Sequence, residues 1–130
     1  MISIKEISLI IAAHFIADFI FQTDKMALNK SSSIKWLLAH ILSYTFSILI
    51  YLGIVFKIGI VQKSLEFAAY FALFNGATHF IIDFITSRIM KTLWLQEKRH
   101  DFFVMLGVDQ ALHMFILMAS WIYFSQVLGG

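Results

Sequence analysis

The chain has 130 residues, 60% of them hydrophobic and 14% charged, with no Pro, no Cys and a formal net charge of +2; its mean hydropathy is +0.82. A soluble domain is about 45–50% apolar and about 25% charged, and so short a chain buries too little surface to hide the excess. The composition therefore excludes an ordinary soluble fold, the missing Cys excludes disulfides and thiolate metal sites, and the low charge excludes a nucleic-acid binder, which needs a basic face.

A helix crosses a bilayer with about 20 mainly apolar residues. Four stretches qualify, residues 4–22, 36–56, 67–87 and 102–123, so the expected fold is all-α: one domain over 1–130, an integral membrane four-helix bundle. The first stretch carries Glu6, His14 and Asp18 and lacks a small-x-small exit, which reads as a retained span rather than a cleaved signal. After it, residues 23–35 include Ser31, Ser32 and Ser33, capping types for the second span. That span bears a polar stripe of Trp36, His40, Ser43, Tyr44, Ser47 and Tyr51, read as interhelical hydrogen bonding. Residues 57–66 form a tight turn at Gly59. Residues 91–101 mix Leu93, Trp94 and Leu95 with Lys98 and Arg99, as in a segment lying among headgroups. Trp36, Trp94 and Trp121 read as interfacial anchors. Gly76 and Gly107 read as sites of close helix approach.

Lys25, Lys30, Lys35, Arg88, Lys91, Lys98 and Arg99 lie on one side of this topology and Lys5, Lys57 and Lys63 on the other. The positive-inside rule then puts the first and third loops in the cytoplasm and both termini outside, in the cell inner membrane. Lys25 stands where it could close the mouth of a site on that side.

Ionisable residues inside a span are costly and face the bundle interior. There are seven: His14, Asp18, His40, His79, Asp83, Asp109 and His113. His14 and Asp18, His79 and Asp83, and Asp109 and His113 are each four apart, so each pair shares a helix face. The third pair is reversed, and its helix runs the opposite way. In all three, Asp then lies nearer the cytoplasm, roughly 7–10 Å inside the boundary, with His one turn deeper at about 1.5 Å rise per residue. His40 falls level with the Asp layer, so all seven converge on one slab of membrane. The run HFIADFI at 14–20 returns as HFIIDFI at 79–85, which reads as two helical hairpins repeated about an axis along the membrane normal.

The patterns H-x-x-x-D-F-x-x-Q-T-D-K-M at 14–26, K-W-x-L-x-H at 35–40, H-F-x-I-D at 79–83 and D-Q-x-x-H at 109–113 together resemble the small bacterial membrane proteins of domain of unknown function family 3307. The resemblance spans nearly the whole chain and implies a membrane protein without naming an activity. A looser similarity is to bacterial inner-membrane metal-dependent hydrolases, whose Asp-x-Asp-His runs are absent here.

Imidazole and carboxylate form a ligand set for divalent transition metals, Zn first, with Mn or Fe as alternatives. The expected ligands are His14, Asp18, His79, Asp83 and His113. Asp109 and His40 are the candidates for general base, further ligand or support to a ligand. Either one ion with three or four ligands or two ions sharing an Asp fits the count. Such a centre suits a metal-dependent hydrolase acting on a membrane-proximal substrate. The rivals are a small transporter or proton-coupled carrier using the same residues as a relay, and a scaffold in which they only glue the bundle. Membrane lipid is the expected partner, and a homodimer is compatible with so thin a bundle.

Overall fold

The computed structural model describes residues 1–129, and every regular element among them is helical. Helix α1, Ile4–Phe15, begins at a capping box: the Glu6 amide donates to Ser3 Oγ at 3.2 Å, and the Ser3 amide donates to Glu6 Oε2 at 2.9 Å. It runs directly into a π-helical turn, Ile16–Ile20, in which the Phe21 amide donates to the Ile16 carbonyl at 3.0 Å. Ser43 Oγ donates to the freed Phe21 carbonyl at 3.1 Å, so α3 ties off this helix end. Helix α2, Asp24–Asn29, is a short turn capped by Thr23. Helices α3, Ile34–Lys57, α4, Leu65–Leu95, and α5, Arg99–Val127, follow.

These last three, of 24, 31 and 29 residues, are long and apolar enough to cross a membrane. The first expected span is shorter: 12 α-helical and 5 π-helical residues, a reach of about 25 Å at 1.5 Å per residue. Large apolar side chains such as Ile11, Phe15, Leu42, Phe46, Ile50, Leu73, Ile81 and Phe115 point outward. An apolar exterior of this kind suits hydrocarbon.

Several sequence expectations are corrected. The segment 91–101 is not a separate piece between the helices. Helix α4 continues through Leu95, and the chain reverses in a few residues with Glu97 at φ 58°. There the Glu97 amide bonds the Trp94 carbonyl and the Lys98 amide bonds the Leu93 carbonyl, a Schellman closure that satisfies the last carbonyls. Ser33 occupies the position before α3 but makes no capping hydrogen bond. Trp121 is 1% exposed and lies in the core with Phe67 and Phe71, its Nε1 donating to Glu6 Oε1 at 3.0 Å. An indole needs one polar partner when buried, and the α1 capping residue supplies it.

That core, with Ile10, Ile48, Leu52 and Leu117, fills the end of the molecule where α1 and α4 start and α3 and α5 finish. The polar residues occupy the other end, under α2. Helices α3 and α4 meet closely at Gly76, where an added Cβ would fall 2.2 Å from Thr45 Oγ1 and 3.3 Å from Thr45 Cβ. Around Gly107 a Cβ would meet nothing within 4 Å, so the close approach expected there does not occur. Gly76→Ala should therefore destabilise the detergent-solubilised protein by about 1–3 kcal/mol, the usual cost of overpacking. Adding Thr45→Ala should recover part of the loss. Thermal unfolding of the single and double variants checks this, and an unshifted single variant would refute the tight contact.

Candidate metal centre

All seven ionisable residues singled out in the spans lie together, and none is more than 4% exposed. Placing three carboxylates and four imidazoles away from water is unfavourable unless each is paired. The structure pairs them in an ordered way.

Four donor atoms converge from three parts of the chain: Asp18 Oδ1 from the π turn, His40 Nε2 from α3, and His79 Nε2 and Asp83 Oδ2 from α4. All lie within 4.8 Å of one another. His40 Nε2 is 3.1 Å from His79 Nε2, 3.1 Å from Asp18 Oδ1 and 3.3 Å from Asp83 Oδ2. His79 Nε2 is 3.3 Å from Asp18 Oδ1 and 3.4 Å from Asp83 Oδ2. Each imidazole nitrogen carries at most one proton, so hydrogen bonds alone cannot serve all these contacts. Among the described residues Asp18 Oδ1 is buried without a hydrogen bond, as are His40 Nδ1 and His79 Nδ1.

The remaining residues hold this set in place. The His79 ring is stacked between Tyr44, at 4.0 Å, and His113, at 4.1 Å. His113 Nε2 lies 3.2 Å from Asp83 Oδ1 and 3.6 Å from Asp109 Oδ1. The Thr86 hydroxyl donates to Asp109 Oδ1. Gln110 Nε2 donates to Asp109 Oδ2 at 3.0 Å and is 3.4 Å from Asp18 Oδ2. One amide thus holds the outer oxygens of two carboxylates and leaves their inner oxygens facing the cluster.

His14 stands apart from the four-donor set. Its Nε2 is 3.0 Å from Gln110 Oε1, which can only accept, so this nitrogen carries the proton. Its Nδ1, 3.3 Å from Tyr44 Oη, is then the acceptor. Both ring nitrogens are engaged, and His14 orients Gln110 and Tyr44. The two copies of the repeated heptapeptide accordingly differ in the structure. The second is regular α-helix with His79 among the donors, whereas the first passes into the π turn with its His turned to α3 and α5.

Lys30 joins the cluster unannounced by any spacing: its Nζ makes a 2.7 Å bond to Asp83 Oδ2 and lies 3.5 Å from His40 Nε2. It was legible only as one positive charge among several. Lys25, expected at the mouth, is exposed on α2. Gln110 stood inside the D-Q-x-x-H pattern, yet nothing in its spacing marked it as a carboxylate clamp. Of the polar stripe on α3, Ser43 and Tyr44 make interhelical bonds, while Ser47 bonds its own helix at the Ser43 carbonyl. Asn75, one turn before His79, joins α4 to α5 by donating to Ser120 Oγ at 2.9 Å.

A cavity of about 380 Å³ opens beside the cluster. Asp18, Asp109 and Gln110 contribute to its polar side, Lys30, Ser31 and Lys91 add basic and hydroxyl groups, and Phe19, Leu28, Trp94, Phe102 and Leu106 form apolar walls.

The model of one family matches residues 7–128, and its description is protein of unknown function (DUF3307). No curated protein and no solved structure matches the chain. The matched span takes in all seven clustered residues and every helix but the first three residues of α1, so the chain belongs to the DUF3307 family of proteins of unknown function.

Proposed function

We propose that the protein crosses the membrane four times, with the short α1 and its π turn as the first crossing, and carries a divalent metal centre near the cytoplasmic face. One observation carries this reading. Zn bound by imidazole nitrogen and carboxylate oxygen has bonds of about 2.0–2.1 Å, and a tetrahedron of that size has edges of about 3.3–3.4 Å. Five edges among Asp18 Oδ1, His40 Nε2, His79 Nε2 and Asp83 Oδ2 measure 3.1–3.4 Å. The donor chemistry suits Zn, with Mn or Fe as alternatives.

The activity proposed is hydrolysis of a membrane-proximal ester or phosphoester. A metal ion in this cluster that keeps a coordination position for water would supply Lewis acidity and a water acidic enough to lose its proton near neutral pH. The chain supplies the rest. Asp109 borders the cavity as a candidate base for the attacking water, the apolar walls accept the hydrocarbon part of an amphiphile, and Lys30 and Lys91 suit an anionic headgroup. Water oxygen would bond to the acyl carbon or phosphorus, and the ester oxygen would leave with a proton. Two hairpins repeated about a membrane-normal axis are part of the same proposal. A relay across the membrane is less well supported, because the apolar core of Ile48, Leu52, Phe67, Phe71 and Trp121 fills the molecule beyond the cluster.

The test is purified protein in lipid nanodiscs, stripped with chelator and reloaded with Zn or Mn, offered ester and phosphoester amphiphiles. Turnover should require the metal and vanish in His79→Ala. Bound metal without turnover, together with ion flux in sealed vesicles, would overturn the hydrolase in favour of a carrier.

A further inference from the structure

Asp83 presents its two oxygens to two different donor sets. Its Oδ2 belongs with Asp18, His40 and His79. Its Oδ1 faces the opposite way, toward His113 Nε2 at 3.2 Å, and Asp109 Oδ1 lies 3.6 Å from the same nitrogen. Asp83, Asp109 and His113 each offer one atom within 4.8 Å of the other two, and all three residues are buried.

We infer that the site holds two divalent ions, bridged by the Asp83 carboxylate; the inference rests on the metal-centre reading above. A carboxylate whose oxygens each meet a separate group of imidazole and carboxylate donors has the form of a bridging ligand, and two-metal hydrolytic sites hold their ions about 3.5–4 Å apart. The two sets differ in kind. The first has four protein donors, which fill a tetrahedral ion as in sites of structural type. The second has three, which leaves a position open as in catalytic zinc sites. Each set reaches the 380 Å³ cavity through one carboxylate, Asp18 from the first and Asp109 from the second, so the open position is what separates them. With its open position, the ion held by Asp83, Asp109 and His113 is the substrate-facing one, Asp109 then serving as a ligand in place of the base role, and the ion held by Asp18, His40, His79 and Asp83 anchors it. Gln110 fits both roles, since its amide fixes the outer oxygens of Asp18 and Asp109, one from each set. Outer partners of this kind tune metal affinity by about 10–100-fold.

The experiment uses detergent-purified full-length protein, stripped and then dialysed against Zn(II) for elemental analysis, with Mn(II) in a parallel sample for electron paramagnetic resonance. The wild type should take up about two equivalents, and the Mn sample should show a spin-coupled pair. His113→Ala should retain one equivalent with an uncoupled spectrum. Asp109→Asn is a second variant with the same expectation, should the first not survive purification as a monodisperse species. One equivalent in the wild type, unchanged by His113→Ala or Asp109→Asn, overturns the two-ion site and leaves the single centre standing. No uptake at all overturns both. Two equivalents without spin coupling overturn the bridge.

Discussion

Replacing Lys30 by Met should destabilise the metal-free protein by about 3 kcal/mol and strengthen metal binding by about tenfold to a hundredfold. The first effect follows from the 2.7 Å bond between Lys30 Nζ and Asp83 Oδ2, in which the carboxylate is almost wholly buried and the ammonium side chain only 17% exposed. Removing one partner of a buried pair costs about 3–5 kcal/mol, because the other charge is left uncompensated, and the partial exposure of Lys30 places this case at the low end. The second effect has the opposite sign. An ion bound to Asp83 Oδ2 must displace Lys30, and a hydrogen bond to a charged group is worth about 1.5–3 kcal/mol, or about tenfold to a hundredfold in affinity. Thermal unfolding in detergent with chelator and with Zn, together with a Zn titration, reads both. A variant that is less stable without metal and binds it more weakly would show that Lys30 assists the ion rather than standing in for it.

Asp83→Asn should reduce Zn uptake more than any other single substitution in the cluster. A residue that only supports a ligand costs about 10–100-fold in affinity when changed; Asp83 contributes an oxygen to each donor set, so the loss should exceed that range. The amide matches the carboxylate in shape but leaves Lys30 without its charged partner, so thermal unfolding of the metal-free variant is recorded beside its Zn uptake. Equilibrium dialysis of the stripped variant checks it. Zn retained at wild-type affinity would remove Asp83 from the ligands and, with it, the proposed centre.

The two substitutions bear on residues that were unequally visible in the sequence. Asp83 was conspicuous as a carboxylate in an apolar helix, four residues from a His. Lys30 looked like any loop cation, because the path of the 23–35 segment back over the bundle is not encoded in periodicity. His14 shows the limit from the other direction. Its spacing to Asp18 equals that of His79 to Asp83, and the surrounding heptapeptides are nearly the same. Even so, its ring, 3.6 Å from Asp18 Oδ2, bonds Gln110 and Tyr44 rather than joining the four donors, and His40, which has no Asp partner in its own helix, stands in that set. Spacing identifies which side chains share a face; it carries no information about which neighbouring helix presents a matching atom.

Gly76 and Gly107 make the same point for packing. Both are small residues near the polar layer, but only Gly76 meets a neighbour, Thr45, because Gly76 is buried against α3 while Gly107 is exposed on α5. The extension of α4 to Leu95 was likewise hidden. Its last turns are polar enough to read as loop, and a left-handed Glu97 ends the helix where a Gly would have signalled the end.

The amino-acid sequence by itself determined the helical class, the apolar exterior and the small group of Asp and His residues drawn to one level, because these follow from hydropathy and from a fixed rise and turn per residue. The tertiary structure decided the grouping of those residues: two donor sets meeting at Asp83, His14 turned aside, Lys30 brought in and one amide holding two carboxylates. That grouping depends on differences of about 1 Å in how helices approach and rotate against one another. The Gly76 contact, the π turn and the fold of α2 over the bundle end set those differences, and each arises only when the helices are packed together.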